Sequence, residues 1–368
     1  MAWAEQEYTK QQINAAGKRI TAILNIDGRP LTRDEIDEYF AQKVIVDNWR
    51  ACHGYPLNVL QTNLRRAARK FDSAPLIAQR TKRFASIALK LGLRPTMKLT
   101  QMQDIGGCRA VLRSVQAVRQ VDQFYRSGSQ MKHTLATRDD YITTPKPTGY
   151  RGIHLVYRYF SDKPAGAKWN GLKIEMQIRS QYQHAWATAV ETVGTFLGQA
   201  LKSSSGADEW LRFFALMGSV IALRERSPLV PETPAVRSEL IAELDHHAYT
   251  LNVAARLQAY SDALQKLEQE TRDAKFYLLK LDPTSSQLVI TGFRADEFDR
   301  AQKAYSEVEQ PLEGKMGTDA VLVSVDSLAA LQRAYPNYFA DTRVFVELLR
   351  QALSGHQRRI FTGGLSFS

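Results

Sequence analysis

Between Asp139 and Ser180 the chain alternates apolar and polar residues twice, with the period of two that belongs to a strand. Leu172, Ile174, Met176 and Ile178 take one face, with Lys173, Glu175, Gln177 and Arg179 on the other. Upstream, Ile153, Leu155, Tyr157 and Tyr159 oppose His154, Val156 and Arg158. A loop punctuated by Pro145, Pro147 and Gly149 leads into this earlier run, carrying Lys146 and ending in Tyr150-Arg151. Either run alone is equally well a surface strand. Paired, they form a floor bearing a carboxylate, an amide and cations, with an aromatic and a lysine at its edge. That set suits a nucleotide and its phosphates, and it predicts a catalytic site.

The rest of the composition fits an enzyme. A chain of 368 residues, 44% hydrophobic, has room for two or three domains with cores of their own. No apolar run approaches the roughly 18 residues of a membrane span, and the polar, acidic start MAWAEQEYTKQQ does not read as a signal peptide. Cys52 and Cys108 are the only cysteines, which excludes a disulfide framework and a four-cysteine zinc site. A cytoplasmic location is expected, with neither a membrane nor DNA as partner. Charge is uneven: residues 1–200 hold 30 Lys/Arg against 16 Asp/Glu (+14), and residues 201–368 hold 19 against 22 (−3). The first half is suited to a polyanion, although nucleotide phosphates alone account for several of those cations.

Helices are expected over residues 6–24 and 34–50, the second capped by Thr32 with Glu35 three residues on. After a break at Gly54 and Pro56, a third helix over 57–71 carries Arg65, Arg66, Arg69 and Lys70 at one-turn spacing. This cluster is either a solvated face or a grip on a phosphate backbone. Residues 74–93 also read as a helix, bearing Arg80, Lys82, Arg83, Ser86 and Lys90, of which Arg83, Ser86 and Lys90 share a face. Convergent cations of this kind can clamp a triphosphate. Asp104 precedes Gly106-Gly107 and a short strand, Cys108–Leu112. An aspartate there is a magnesium ligand or a turn residue.

Together the pieces Arg-x-Lys-x-x-x-Ser-Ile-x-x-Lys (80–90), Asp-Ile-x-Gly-x-Arg (104–109), Tyr-Ile-x-x-Pro-Lys-x-x-Gly-Tyr-Arg-x-Ile-His (141–154) and Glu-x-Gln-Ile-Arg (175–179) resemble, in order, the RelA/SpoT synthetase family. The resemblance covers about residues 48–225. It implies transfer of pyrophosphate from ATP to a ribose 3′-hydroxyl on a mixed sheet flanked by helices. ATP would be held by Arg80, Lys82, Ser86, Lys90 and Lys146, joined by Arg83 from the cationic face and by Gln177 and Arg179 from the strand floor. Mg²⁺ would sit on Asp104 and Glu175, the catalytic pair, and Tyr150 would stack towards the acceptor. Arg151, His154 and His184 complete the acceptor candidates, and whether Glu175 is base, metal ligand or both stays open. Asp139-Asp140 and Thr148 depart from the family's Lys-Asp and Asn in the loop that holds guanine nucleotides. No His-Asp dipeptide occurs, so the family's alarmone hydrolase is not expected. Residues 182–206 are most similar to the toxic small synthetases, some of which pyrophosphorylate the 3′-terminal adenosine of tRNA. His184 and Trp186 fall there, as core residues or as acceptor contacts.

Beyond a helix over Trp210–Glu225 and a Pro-rich break at 228–234, a helical stretch over Ser238–Lys275 leads to a small α+β module. Its strands are expected over Lys275–Leu281, Gln287–Phe293 and Asp319–Val325, with a helix over Asp296–Glu309. Tyr335 and Tyr338 flank a proline-containing turn within it. A toxic synthetase followed by such a module resembles the CapRel-type fused toxin–antitoxin group, whose tail inhibits the enzyme until a bacteriophage capsid protein binds it. The fold class expected is therefore α+β, with helical extensions and a C-terminal regulatory domain. Its divisions are N-terminal helices 1–47, synthetase 48–225, connector 226–275, regulatory domain 276–355 and flexible tail 356–368. The expected function is an autoinhibited, Mg²⁺- and ATP-dependent pyrophosphokinase acting on the tRNA 3′ end to block translation in antiphage defence. A (p)ppGpp or (p)ppApp synthetase is the alternative. A third possibility, an inactive RNA-binding module, is disfavoured by the co-occurrence of Asp104, Glu175, Tyr150 and the cations.

Overall fold

A computed structural model of the chain describes residues 3–25, 31–127, 131–197, 206–254, 257, 274–282, 287–294, 296–308, 319–324 and 342–362. Tyr335 and Tyr338 lie outside these residues, as does most of the expected connector beyond residue 254.

Three helices open the chain: α1 (Lys10–Leu24), α2 (Arg33–Cys52) and α3 (Gly54–Ala68). Thr9 with Gln12 and Thr32 with Glu35 form capping boxes that satisfy the first amides of α1 and α2. Gly54 and Pro56 mark the junction between α2 and α3, and Pro56 is tolerated in the first turn, where its missing N–H has no helical partner. There follow β1 (Leu76–Thr81), α4 (Phe84–Gly92), β2 (Gly106–Leu112), α5 (Val115–Arg126), β3 (Thr134–Asp140) and β4 (Ile153–Arg158). A single turn, α6 (Pro164–Ala167), precedes β5 (Lys173–Ser180), α7 (Gln181–Leu197), α8 (Gly206–Glu225) and α9 (Arg237–Thr250). The C-terminal part adds β6 (Phe276–Asp282), β7 (Gln287–Phe293), α10 (Phe298–Val308), β8 (Asp319–Ser324) and α11 (Arg343–Thr362).

The strands form one mixed sheet in the order β3-β4-β5-β2-β1-β8-β6-β7. Its first five strands, flanked by helices, are the expected α+β architecture. Only β2 and β5 run parallel; the other neighbours are antiparallel. The two alternating runs pair as anticipated, His154 opposite Gln177 and Val156 opposite Glu175. Ile153, Leu155, Ile174, Met176 and Ile178 point away from the polar floor into a core closed by Leu60 and Leu64 of α3 and Val118 and Val121 of α5. A second core joins α1, α2 and α4, and a third joins α7, α8, α9 and α11 around Trp210, Phe213, Phe214 and Phe345. Among the described residues, no helix is long and apolar enough to cross a membrane.

Three features differ from the sequence expectation. The helix expected over 74–93 is strand β1 followed by the shorter α4, so Arg80 and Lys82 stand on a strand end and not on a helix face. Tertiary pairing decides this, because β1 lies between β2 and β8 with Ile77 on the apolar face. Strand β3 was not anticipated, since TLATRDD is a polar, partly exposed edge with no apolar alternation. The C-terminal module also shares the sheet, which the sequence did not indicate. β8 pairs with β1 at Gln79↔Ser324 and Arg80↔Val323, and helix α11, which continues past residue 355 to Thr362, packs against α7 and α9.

Candidate active site

Pairing register builds the site. Arg80 lies opposite Gly107, Gly107 opposite Glu175, and Arg109 opposite Gln177, so these residues share the face away from the α3–α5 core. Gly107 leaves the floor bare beside Glu175: an added Cβ would meet only the Glu175 carbonyl oxygen, at 3.9 Å. Together with Lys82 and Asp104 at the strand ends, Arg80, Arg109, Glu175 and Gln177 line one cleft.

Two polar clusters occupy this floor. In the first, Lys82 Nζ donates to Asp104 Oδ2 at 2.8 Å and Lys90 Nζ to Oδ1 at 3.0 Å. Burial works against the Asp104 charge, but the two ammonium groups outweigh it and hold the carboxyl below its ordinary value. The second cluster is a closed ring of five side chains. Arg179 Nη2 donates to Gln177 Oε1 at 2.9 Å and to the Tyr150 hydroxyl at 2.7 Å. Gln177 Nε2 donates to Glu175 Oε2 at 2.7 Å. Burial pushes the Tyr150 hydroxyl pKa up, and this hydroxyl is hydrogen-bonded to His154 Nε2. A carboxylate oxygen only accepts, so Nδ1 of His154 donates to Glu175 Oε1, at 2.8 Å. Arg179 donates in both directions around the ring and Glu175 accepts at both ends. Burial alone would raise the Glu175 carboxyl; the hydrogen bonds from His154 and Gln177 outweigh it and leave the group below its ordinary value. Nε and Nη1 of Arg179 have no hydrogen-bond partner among the described residues, although the residue is buried.

The remaining expected residues divide. Lys146 stands 4.3 Å from the Tyr141 ring and 5.4 Å from the Tyr150 ring. Arg83 is the N-cap of α4 and Ser86 lies in its first turn, both outside the lining of the cleft. Arg151 departs from expectation. It is 2% exposed, and its guanidinium donates to the carbonyls of Gly218, Ile142 and Pro228 and to Ser227 Oγ, bracing the loop against α8. That burial holds its pKa down to about 10. His184 is buried on α7, and Trp186 donates its indole N–H to the Phe214 carbonyl at 2.8 Å, the core alternative for that residue. The Arg65–Lys70 cluster is also displaced. Helix α3 covers the apolar face of the sheet, and its C-terminal end adjoins Arg113 at the far end of β2, where Asp72 receives the Arg113 amide at 2.7 Å. A seven-residue strand spans about 23 Å, so these cations lie behind the sheet and a strand length from Asp104.

Arg109 is the site residue that the sequence reading quoted in a motif but gave no role. Its signal was the two-residue step from Gly107 on a strand paired with Glu175 and Gln177. Arg158 and Lys173, directly opposite each other on the same face, extend the cationic rim past Glu175.

The donor set suits Mg²⁺. That ion takes one or two carboxylates and completes its shell with water and phosphate oxygens, and Asp104 and Glu175 line the same polar cleft. Among the described residues there is no group of three or more His, Cys, Asp or Glu of the kind that encloses a metal in protein ligands alone.

Residues 79–193 match the family model described as "Region found in RelA / SpoT proteins". GTP pyrophosphokinase YjbM of Bacillus subtilis (strain 168) is 31% identical over 121 residues, 32% of this chain and 56% of that protein. GTP pyrophosphokinase YwaC of the same organism is 24% identical over 161 residues, 40% of this chain and 74% of that protein. The match thus spans little more than half the length of the first of these relatives. The crystal structure of small alarmone synthetase 1 from Bacillus subtilis superposes with a TM-score of 0.41 at 20% identity, covering 49% of this chain and 92% of that one.

Proposed function

We propose that this chain, whose residues 79–193 form a RelA/SpoT region, is a pyrophosphokinase that transfers the terminal diphosphate of ATP to a ribose 3′-hydroxyl. The observation that carries this reading is the meeting of two ionised carboxylates, Asp104 and Glu175, with Arg80, Lys82 and Arg109 on one floor. In the reaction the acceptor 3′-oxygen bonds to Pβ while the bond from Pβ to the α,β-bridging oxygen breaks, and AMP leaves. Such a transfer asks the protein for alignment and for cations around spreading phosphate charge. Arg80, Lys82 and Arg109 supply the charge. Glu175, clamped by His154 and Gln177, is the base positioned to take the hydroxyl proton. Tyr150, held by Arg179 and flanked by Lys146, orders the acceptor side. Mg²⁺ held by Asp104 and Glu175 would add positive charge against the phosphate oxygens.

For the acceptor we favour the 3′-terminal adenosine of tRNA. The +14 first half and the loop carrying Asp139, Asp140 and Thr148 support this. Asp140 accepts hydrogen bonds from Arg119 and Arg138 and from the amides of Ile142 and Thr143, so it serves to fix the loop. The alternative, synthesis of (p)ppGpp or (p)ppApp, draws on the relatives named GTP pyrophosphokinases. Incubation with γ-labelled ATP and either total tRNA or free GDP, GTP, ADP or ATP separates them. With both the wild type and Tyr338→Ala tested, label on the tRNA 3′ end supports the first reading; label only on nucleotides supports the second; label on neither from either protein removes both. The finer reading also includes restraint by Tyr335 and Tyr338, released by a phage capsid protein, with the active enzyme blocking translation. Its support is the sequence resemblance of the C-terminal module.

A further inference from the structure

Arg50, near the end of α2, is 4% exposed and is not among the residues that line the cleft. Its Nη1 donates to Asp47 Oδ1 at 2.6 Å, and its Nε donates to the main-chain carbonyl of Lys82 at 3.1 Å. The guanidinium carbon lies 4.8 Å from the centroid of the Tyr305 ring, which belongs to α10 of the C-terminal module. The Lys82 amide in turn donates to the Ile105 carbonyl at 2.7 Å. The backbone of Lys82 is thus pinned on both sides, and its ammonium is aimed at Asp104, the chain neighbour of Ile105.

Two further contacts converge on the same corner. Strand β8 pairs with β1 at Gln79 and Arg80. Trp3 wedges between the halves, its ring 5.9 Å from Tyr55 and 5.2 Å from Phe298, over Gly54, where a Cβ would meet Trp3 at 3.2 Å and Phe298 at 3.3 Å.

We propose that Arg50 is a positioning residue through which the docked C-terminal module holds the Lys82–Asp104 corner of the donor site, so that this part of the module supports the enzyme. The role of that corner rests on the pyrophosphokinase reading; the mechanical coupling does not. A buried guanidinium needs each of its faces and edges occupied. Removing the Tyr305 ring lets water reach one face of Arg50 and loosens its grip on the Lys82 carbonyl. The lysine ammonium then loses its fixed aim. This effect is opposite in sign to a restraint by Tyr335 and Tyr338, and the two are separable in one protein.

The test uses the full chain with Tyr305→Leu, which keeps apolar bulk and removes the ring, Tyr305→Phe, which keeps the ring, and Arg50→Lys, which acts from the other side. Backbone hydrogen exchange over residues 79–90 and the KM for ATP and for acceptor are measured. Tyr305→Leu and Arg50→Lys are expected to speed exchange at the Lys82 amide and to raise KM for ATP roughly two- to thirtyfold, the span of such couplings. Acceptor KM should hold, and Tyr305→Phe should resemble wild type. Exchange at the Lys82 amide unchanged in Arg50→Lys, or tighter ATP binding in either variant, overturns the proposal. If Tyr305→Leu fails to fold, Arg50→Lys decides. If neither the wild type nor Tyr338→Ala transfers anything from ATP, the pyrophosphokinase reading fails, while the exchange comparison still decides the coupling.

Discussion

At the scale of single residues, the site depends on two carboxylates kept ionised by different neighbours. Asp104 is held by ammonium groups and Glu175 by hydrogen bonds from His154 and Gln177. Asp104→Asn and Glu175→Gln should each cut transfer at least about 10²-fold, on the order of 3 kcal/mol in the barrier, with the fold unchanged by circular dichroism. Full activity in either variant would remove that side chain from the chemistry. Both groups sit below their ordinary values. Their ionised forms, and the stability they lend, are therefore fully present above the ordinary carboxylate range and are lost as pH falls through the depressed values. The acid limb of kcat/KM should accordingly lie below about pH 4. A limb near neutrality would show that some other group controls the reaction. Much of this arrangement was legible in the sequence, because Glu175 and Gln177 sit on an alternating strand whose face is settled by its apolar partners. Arg151 was misassigned for a physical reason. A cation beside a loop tyrosine looks like a ligand contact until α8, distant in sequence, supplies the carbonyls that absorb it.

Among the elements, what positions the site is close backbone contact. Gly149, with φ +95°, lies against α8, and a Cβ on Gly218 would come within 2.8 Å of the Gly149 Cα. Two opposing effects meet in Gly218→Ala. Alanine gains up to about 1 kcal/mol of helix propensity, while the overlap forces apart two packed backbones at roughly 1–3 kcal/mol. We expect the clash to win: a lower midpoint of thermal unfolding, together with weakened acceptor binding, since the displaced loop carries Lys146 and Tyr150. A rise in the midpoint with normal kinetics would show that the loop yields freely. The glycines themselves gave no sign of this, because their proximity belongs to the tertiary fold. Strand β1 was misread for a related reason: its residues are compatible with a helix, and pairing between β2 and β8 decides otherwise.

For the whole molecule, the distribution of charge separates two roles that the sequence placed together. Arg66 in the last turn of α3 and Arg69 and Lys70 just after it are exposed behind the sheet, with Lys70 set over the Phe124 ring at 4.4 Å. Replacing all three by alanine should leave transfer to any free nucleotide unaltered. If tRNA is the acceptor and its body reaches this surface, the salt dependence of binding should flatten by about one unit per lost phosphate contact. An unchanged slope would assign the cluster to solvent. Restraint by the module predicts that Tyr338→Ala slows growth of expressing cells and that adding Glu175→Gln restores it. Harmless Tyr338→Ala in a protein active on tRNA would remove that pair as the inhibitor.

The shared sheet also imposes an order of events on synthesis of the chain. β1 emerges from the ribosome before β8, which covers its second edge, and Trp3 emerges long before Phe298, against which it packs. Until then the donor strand is an open edge. A nascent chain stalled before residue 319 would carry both carboxylates and the cations of the cleft and lack the strand that covers β1, so the sheet is completed only after every residue lining the cleft has been made.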